Sequence, residues 1–109
     1  MSLPQLDNLV RVRALKVEAA VQSEIDGLIH SARARLRDTQ IKGLSLESRF
    51  DLAYNSVHAF ALAALRWHGY RSENRYTVFQ CFEHTVNLPA EQWRVLDQAH
   101  RKRNLAEYE

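Results

Sequence analysis

Four polar side chains near the end of the chain, His100, Arg103, Asn104 and Glu107, recur at i, i+3, i+4 and i+7. On a continuous helix that spacing places them on one face, so an imidazole, a fixed cation, an amide and a carboxylate become neighbours. These are the groups that chemistry on a phosphodiester needs. An imidazole titrates near neutral pH and accepts a proton, while a guanidinium grips phosphate oxygens in a two-pronged fashion. Tyr108 follows with a phenol. A plainer reading stays open for each. His100 would continue a Trp93–Leu96 stripe at the bundle edge, Arg103 and Asn104 would fix a helix junction, and Tyr108 would be a core tyrosine with a bonded hydroxyl.

Such a face needs helices to carry it, and the chain is built for helices. Only three glycines and two prolines occur among 109 residues, leaving few breaks and little turn chemistry for strands. Leu6, Leu9, Val10, Val12 and Leu15 give residues 5–16 a helical spacing. A second helix runs from Val17 to about Lys42 on Val21, Ile25, Leu28, Ile29, Ala32 and Leu36, with Gly43 as its stop. Ser45 is a natural N-cap for a third helix over about 46–68, closed by Gly69. That helix carries two stripes, Phe50-Tyr54-Val57-Ala61-Leu65 and Leu46-Ala53-Phe60-Ala63-Trp67, so it is the expected centre of the bundle. Ser72 or Asn74 begins a fourth helix to about Val86, with Val78, Phe79, Phe82 and Val86 inward. Pro89 and Glu91 suit the first turn of a fifth helix, whose core contacts are Trp93, Leu96 and Ala99. The reading is a single all-α domain over 1–109, a bundle of four to five helices with short connections.

Composition narrows the setting. Length and a hydrophobic share of 46% fit one globular domain, and no apolar run approaches the ~20 residues of a membrane span. The N-terminus lacks a basic-then-apolar leader, and Cys81 is the only cysteine, so a cytoplasmic, reducing home is expected. Net charge is only +2, yet twelve of the fifteen basic residues are arginine, the cation best suited to bidentate phosphate or carboxylate contacts. Arg71, Arg75, Arg101 and Arg103 are the candidates for holding RNA phosphates. If they converge beside a groove RNA is favoured, and if they scatter a helical interaction module is.

The other constellations are quieter. No two histidines stand at i, i+3 or i+4 with a carboxylate partner, so neither a metal nor a cofactor is expected. Cys81, between Phe79 and Phe82, reads as a buried inert thiol. Asn55, His58 and Arg66 interrupt the otherwise apolar third helix. They lie at its solvent edge or require partners, for which the Arg103 face of the last helix is one source.

Two segments resemble the HEPN family (higher eukaryotes and prokaryotes nucleotide-binding domains). One is the helix Phe50-Asp-Leu-Ala-Tyr-Asn-Ser-Val-His-Ala-Phe-Ala-Leu-Ala-Ala-Leu-Arg66 with the following Gly69-Tyr70-Arg71; the other is Arg103-Asn104-Leu105-Ala106-Glu107-Tyr108. The resemblance implies an α-helical bundle pairing as a homodimer through its motif face. It implies association with RNA or with a nucleotidyltransferase-type partner, in a toxin–antitoxin or related defence setting. Cleaving members of the family are metal-independent RNases that use an Arg, a polar residue and, after a few spacers, a His. Arg103 and Asn104 match the start of that motif, and Tyr108 stands where the His is expected. A phenol of pKa ~10 is a poor base at neutral pH where an imidazole near ~6.5 is well matched. The expectation is therefore binding without efficient cleavage. A non-catalytic interaction module and a divergent RNase using Arg103 with His100 are the alternatives. Trp67 and Tyr70 are the expected exposed aromatics of an interface.

Overall fold

The structure is a computed structural model, and it describes residues 3–92 together with 94, 95, 98, 99, 101 and 102. Its elements in chain order are α1 (Pro4–Arg11), β1 (Lys16–Val17), α2 (Gln22–Asp38), α3 (Leu46–Trp67), β2 (Tyr70–Arg71) and α4 (Arg75–Thr85). Helical backbone returns at 90–92, 94, 95, 98, 99, 101 and 102. The molecule is an all-α bundle, as the periodicity predicts, with α3 packed on α2 along one side and on α4 along another.

Local chemistry explains the ends of the helices. Ser45 Oγ accepts from the Ser48 backbone N–H at 3.0 Å and opens α3, and Asn74 Oδ1 accepts from Thr77 N–H at 3.1 Å and opens α4. Each satisfies one of the four N–H groups that a helix start leaves unpaired. Gly69 ends α3 at φ +90, a left-handed turn that a side chain resists. This turn sends the chain back so that β2 pairs antiparallel with β1, Lys16 opposite Arg71 and Val17 opposite Tyr70.

That two-residue ladder corrects two expectations. The periodicity of 5–16 suggests a helix throughout, but α1 stops at Arg11 and Val12 is 71% exposed. Helix α2 starts at Gln22 rather than Val17, because residues 16–17 are held extended against β2. Leu15, just before the ladder, is buried and joins Leu6, Tyr54, Ala61, Leu65, Tyr70, Val78, Phe79, Cys81 and Phe82 in one core. Val86 lies past the end of α4 and is exposed, and Leu88 packs on the core instead. Tyr70 is buried, not an exposed aromatic, with its hydroxyl donating to Asp7 Oδ1 at 2.6 Å and accepting from Leu3 N–H at 3.3 Å. It ties β2 to α1.

The polar residues of α3 also find partners other than those expected. Arg66 is fully buried. Its Nε donates to Glu24 Oε1 at 2.6 Å, Nη1 to the carbonyls of Glu18 (2.8 Å) and Tyr70 (3.1 Å), and Nη2 to the Ala19 carbonyl (2.7 Å). Ser56, also buried, donates to the Ala32 carbonyl at 2.7 Å and sets the register of α3 on α2. Asn55 binds back to the Asp51 carbonyl, and the His58 ring meets Phe79 edge-on at 5.6 Å.

Glu24 is a third exposed and would keep Arg71, but without the Arg66 guanidinium the carbonyls of Glu18, Ala19 and Tyr70 lose their donor, at a cost of about 1–3 kcal/mol for a buried polar group left unpaired. Arg66→Met should therefore lower unfolding free energy by about that much. It should also release β1 from β2, read by urea denaturation and by faster amide exchange at Glu18, whose N–H donates to the Gly69 carbonyl.

Candidate functional site

Charge in the described molecule gathers where β2 leaves α3. Arg71 is the first of the sequence-predicted phosphate contacts, and it sits beside the buried Arg66. Its Nε donates to Glu18 and its Nη2 to Glu24, so two guanidinium groups share two carboxylates. Hydrogen bonds from Arg71 and then Arg66 hold the Glu24 carboxyl below its ordinary value, against the opposing effect of burial. The same two carboxylates raise Arg71.

This pairing answers a problem the ladder creates. Lys16 and Arg71 lie directly opposite each other, a like-charge arrangement that is unfavourable unless counter-charge is supplied. Glu18 and Glu24 supply it on one side. On the other side Arg71 lines a pocket of about 230 Å³ with Arg13, Lys16, Ser72, Glu73 and Asn74. Arg13 stands there in the left-handed region, φ 63, where the chain turns sharply out of α1. Three cations, of which Arg71 is already paired with Glu18 and Glu24, and one carboxylate, Glu73, thus line a cleft below the ~300 Å³ of a typical small-molecule pocket. Arg71 keeps Nη1 without a hydrogen bond among the described residues.

Arg75 does not line that pocket. Its guanidinium lies 5.4 Å from the centre of the Tyr54 ring, and Nη1 donates to Asn55 Oδ1 at 3.3 Å. The Tyr54 ring in turn stacks on Phe50 and meets Phe79 edge-on. Arg71 and Arg75 are therefore not brought together. Arg101 is exposed in the C-terminal helical residues, as are Arg94 and Gln98 at helical spacing from it. His100, Arg103, Asn104, Glu107 and Tyr108 lie outside the described residues. So do Trp93 and Leu96.

A second feature lies on the α2–α3 pair. Ile25, Ile29, Phe60, Ala63, Ala64 and Trp67 line an apolar groove of about 230 Å³, and Trp67 is 53% exposed at its edge. Cys81 is buried among apolar side chains, which push its thiol up to about 12 and leave it protonated.

Sequence reasoning missed Arg13, Lys16, Glu18 and Glu24. The only signal was indirect: an arginine set among alanines and leucines, Ala63-Ala64-Leu65-Arg66, must be satisfied from elsewhere. Which carboxylate does so is a tertiary fact, because Glu24 lies 42 residues away in sequence. Compared with family models, with curated proteins and with solved structures, the chain matches none.

The Glu24 carboxyl has a lowered folded-state pKa, so it favours folding above its ordinary value of 4.5. That contribution disappears as pH falls below 4.5 through the lowered value. Melting temperature should drop through this acid window in the wild type. In Glu24→Gln it should begin lower at pH 7 and fall less steeply on acidification, as followed by circular dichroism.

Proposed function

We propose that this chain is a HEPN-like protein that binds RNA or a nucleotide-bearing partner without cleaving RNA efficiently, in a toxin–antitoxin or related defence setting. The observation that carries the reading is the basic pocket of Arg13, Lys16 and Arg71. Arg71 belongs to the Gly69-Tyr70-Arg71 segment of the resemblance, and the pocket sets it beside two further cations at the scale of one phosphate. Lys16 and Arg13 are exposed and have a terminal charge to offer, whereas Arg71 is fixed by Glu18 and Glu24 and supplies direction. The exposed Arg101, with Arg103 and Asn104 following in sequence, extends the basic character along the C-terminal segment. Tyr108 in the place of a histidine removes the group best matched to proton transfer at neutral pH. The protein is read as a cytoplasmic homodimer; among the described residues no helix is long and apolar enough to cross a membrane.

A second reading has its own observation. Arg71 and Arg75 turn to separate places, and the α2–α3 groove is apolar, both of which favour a helical protein–protein interaction module.

Labelled single-stranded RNA in EDTA tests both. The expected result is saturable, salt-sensitive binding with the RNA left intact. Arg13→Glu with Lys16→Glu should weaken it at least about tenfold and reduce the salt slope by about 1.4, two single-strand phosphate contacts' worth. Cleavage by the wild type that Arg103→Ala abolishes would overturn the non-cleaving reading in favour of the divergent RNase. Cleavage seen only in Tyr108→His supports a binding protein built on a nuclease frame. Absence of binding at low salt rejects the RNA reading and leaves the interaction module.

A further inference from the structure

Helix α3 carries a seam that the core uses only at its middle, where Val57 and Phe60 pack on it. Leu46, Phe50, Ala53, Val57, Phe60, Ala64 and Trp67 follow one another at spacings of four and three, the 3.5-residue repeat of a coiled-coil seam. The core takes a different face, Tyr54, Ala61 and Leu65, while Ser56, Ala59 and Ala63 are buried elsewhere on the helix. Along the seam Leu46, Phe50 and Trp67 are exposed and the four residues between are only half-buried. On α2, Ile25, Ile29, Ala32 and Leu36 repeat at the same spacing; Ile25 and Ala32 are buried within the chain, so Ile29, half-buried, and Leu36, 51% exposed, are what this helix adds. The result is an apolar strip along α3, edged by Ile29 and Leu36 of the antiparallel α2.

The order of residues on that face indicates what covers it. Read from either end, the middle of the α3 seam runs aromatic, alanine, apolar, apolar, alanine, aromatic: Phe50, Ala53, Val57, Phe60, Ala64, Trp67. A two-fold axis crossing α3 between His58 and Ala59 sets Phe50 against the partner's Trp67, Ala53 against the partner's Ala64, and Val57 against the partner's Phe60. Bulky groups then meet at the ends and small ones let the backbones approach between them. Helix α2 has the same symmetry in its charges. An axis crossing it between Ile29 and His30 places Asp26 opposite the partner's Arg33 on the exposed flank of the face. In antiparallel helix pairs a flank faces itself, so these are attractive contacts. The two crossing points lie side by side, because the Ser56–Ala32 hydrogen bond fixes the register of α3 on α2 and each point is two to three residues along from it.

We propose that a second copy of this chain docks on the α2–α3 face, α2 on α2 and α3 on α3, as a four-helix layer about a two-fold axis. The size fits: a 22-residue helix is ~33 Å long and two packed helices are ~20 Å wide, giving roughly 650 Å² per protomer. That approaches the ~800 Å² per partner of a standard stable interface. The proposal rests on the homodimer reading above and gives it a face within the described helices; it is independent of RNA. An interface of this kind is isologous and closes at two copies.

Sedimentation of the whole chain at tens of micromolar, without RNA, gives the test. The expected species is twice 12.7 kDa. Trp67→Arg and Phe50→Arg, both at exposed positions, should yield a monomer of unchanged helicity. Asp26→Arg sets like charges together and should weaken pairing roughly three- to tenfold, and adding Arg33→Asp should restore it. Ala53→Cys with Ala64→Cys in one chain should form a covalent dimer on oxidation. The two sites are ~16 Å apart within one helix, beyond the ~7 Å that a disulfide spans, and either change alone should not cross-link. A monomeric wild type would overturn the homodimer reading and this face together. A dimer that survives Trp67→Arg would overturn the face alone. Loss of pairing in Trp67→Arg without the charge rescue or the paired cross-link would overturn the register.

Discussion

A buried guanidinium organises this bundle. Arg66 carries its charge into a place without water, and a lone cation there would cost several kcal/mol. The chain meets that demand with four groups from three segments: Glu24 at the start of α2, the carbonyls of Glu18 and Ala19 before it, and the Tyr70 carbonyl in β2. Those segments cannot move independently while the arginine remains charged. The interaction sets where α2 begins, how far α3 runs before Gly69 turns it, and why residues 16–17 are extended rather than helical.

The basic pocket is a by-product of the same constraint. Pairing β1 with β2 forces Lys16 against Arg71, and Glu18 and Glu24 neutralise that clash from one side only. Lys16 and Arg71 also line the pocket, with Arg13 in its left-handed turn. The like-charge pairing within the fold and the basic lining of the pocket thus share one origin. Arg75 shows the contrast: laid over Tyr54 and bound to Asn55, it covers aromatic surface and keeps its charge within the bundle.

Next to this charge, starting from Ile25 and Trp67, the groove between α2 and α3 is apolar. The helix that the sequence marks as having two apolar sides uses them differently. Tyr54, Ala61 and Leu65 enter the core, whereas Phe50 and Trp67 remain exposed and Phe60 only half-buried. A hydrophobic stripe records only that a face avoids water; whether a neighbour in the same chain covers it depends on how many helices the chain has to spend. With α4 only eleven residues long, α3 has more apolar face than its own neighbours fill.

Period and punctuation were legible in the sequence because they are local. The 46–68 periodicity, the Ser45 and Asn74 caps and the Gly69 stop fix α3 and α4 to within a residue or two, since capping and left-handed turns involve groups only a few residues apart. The same local signals failed over 5–21, where apolar spacing suggests helix and the chain instead pairs with β2, because a ladder partner more than fifty residues distant leaves no periodic trace. Cys81 was legible as inert from its aromatic neighbours; the basic pocket was not, since Arg13, Lys16 and Arg71 converge only after the chain has folded back. By itself, then, the sequence determined the helical class and the ends of α3 and α4. Only the tertiary structure decided that Arg66 is buried and held by Glu24 and Glu18, and that Tyr70 is buried where Trp67 is exposed, because each depends on contacts between segments far apart along the chain.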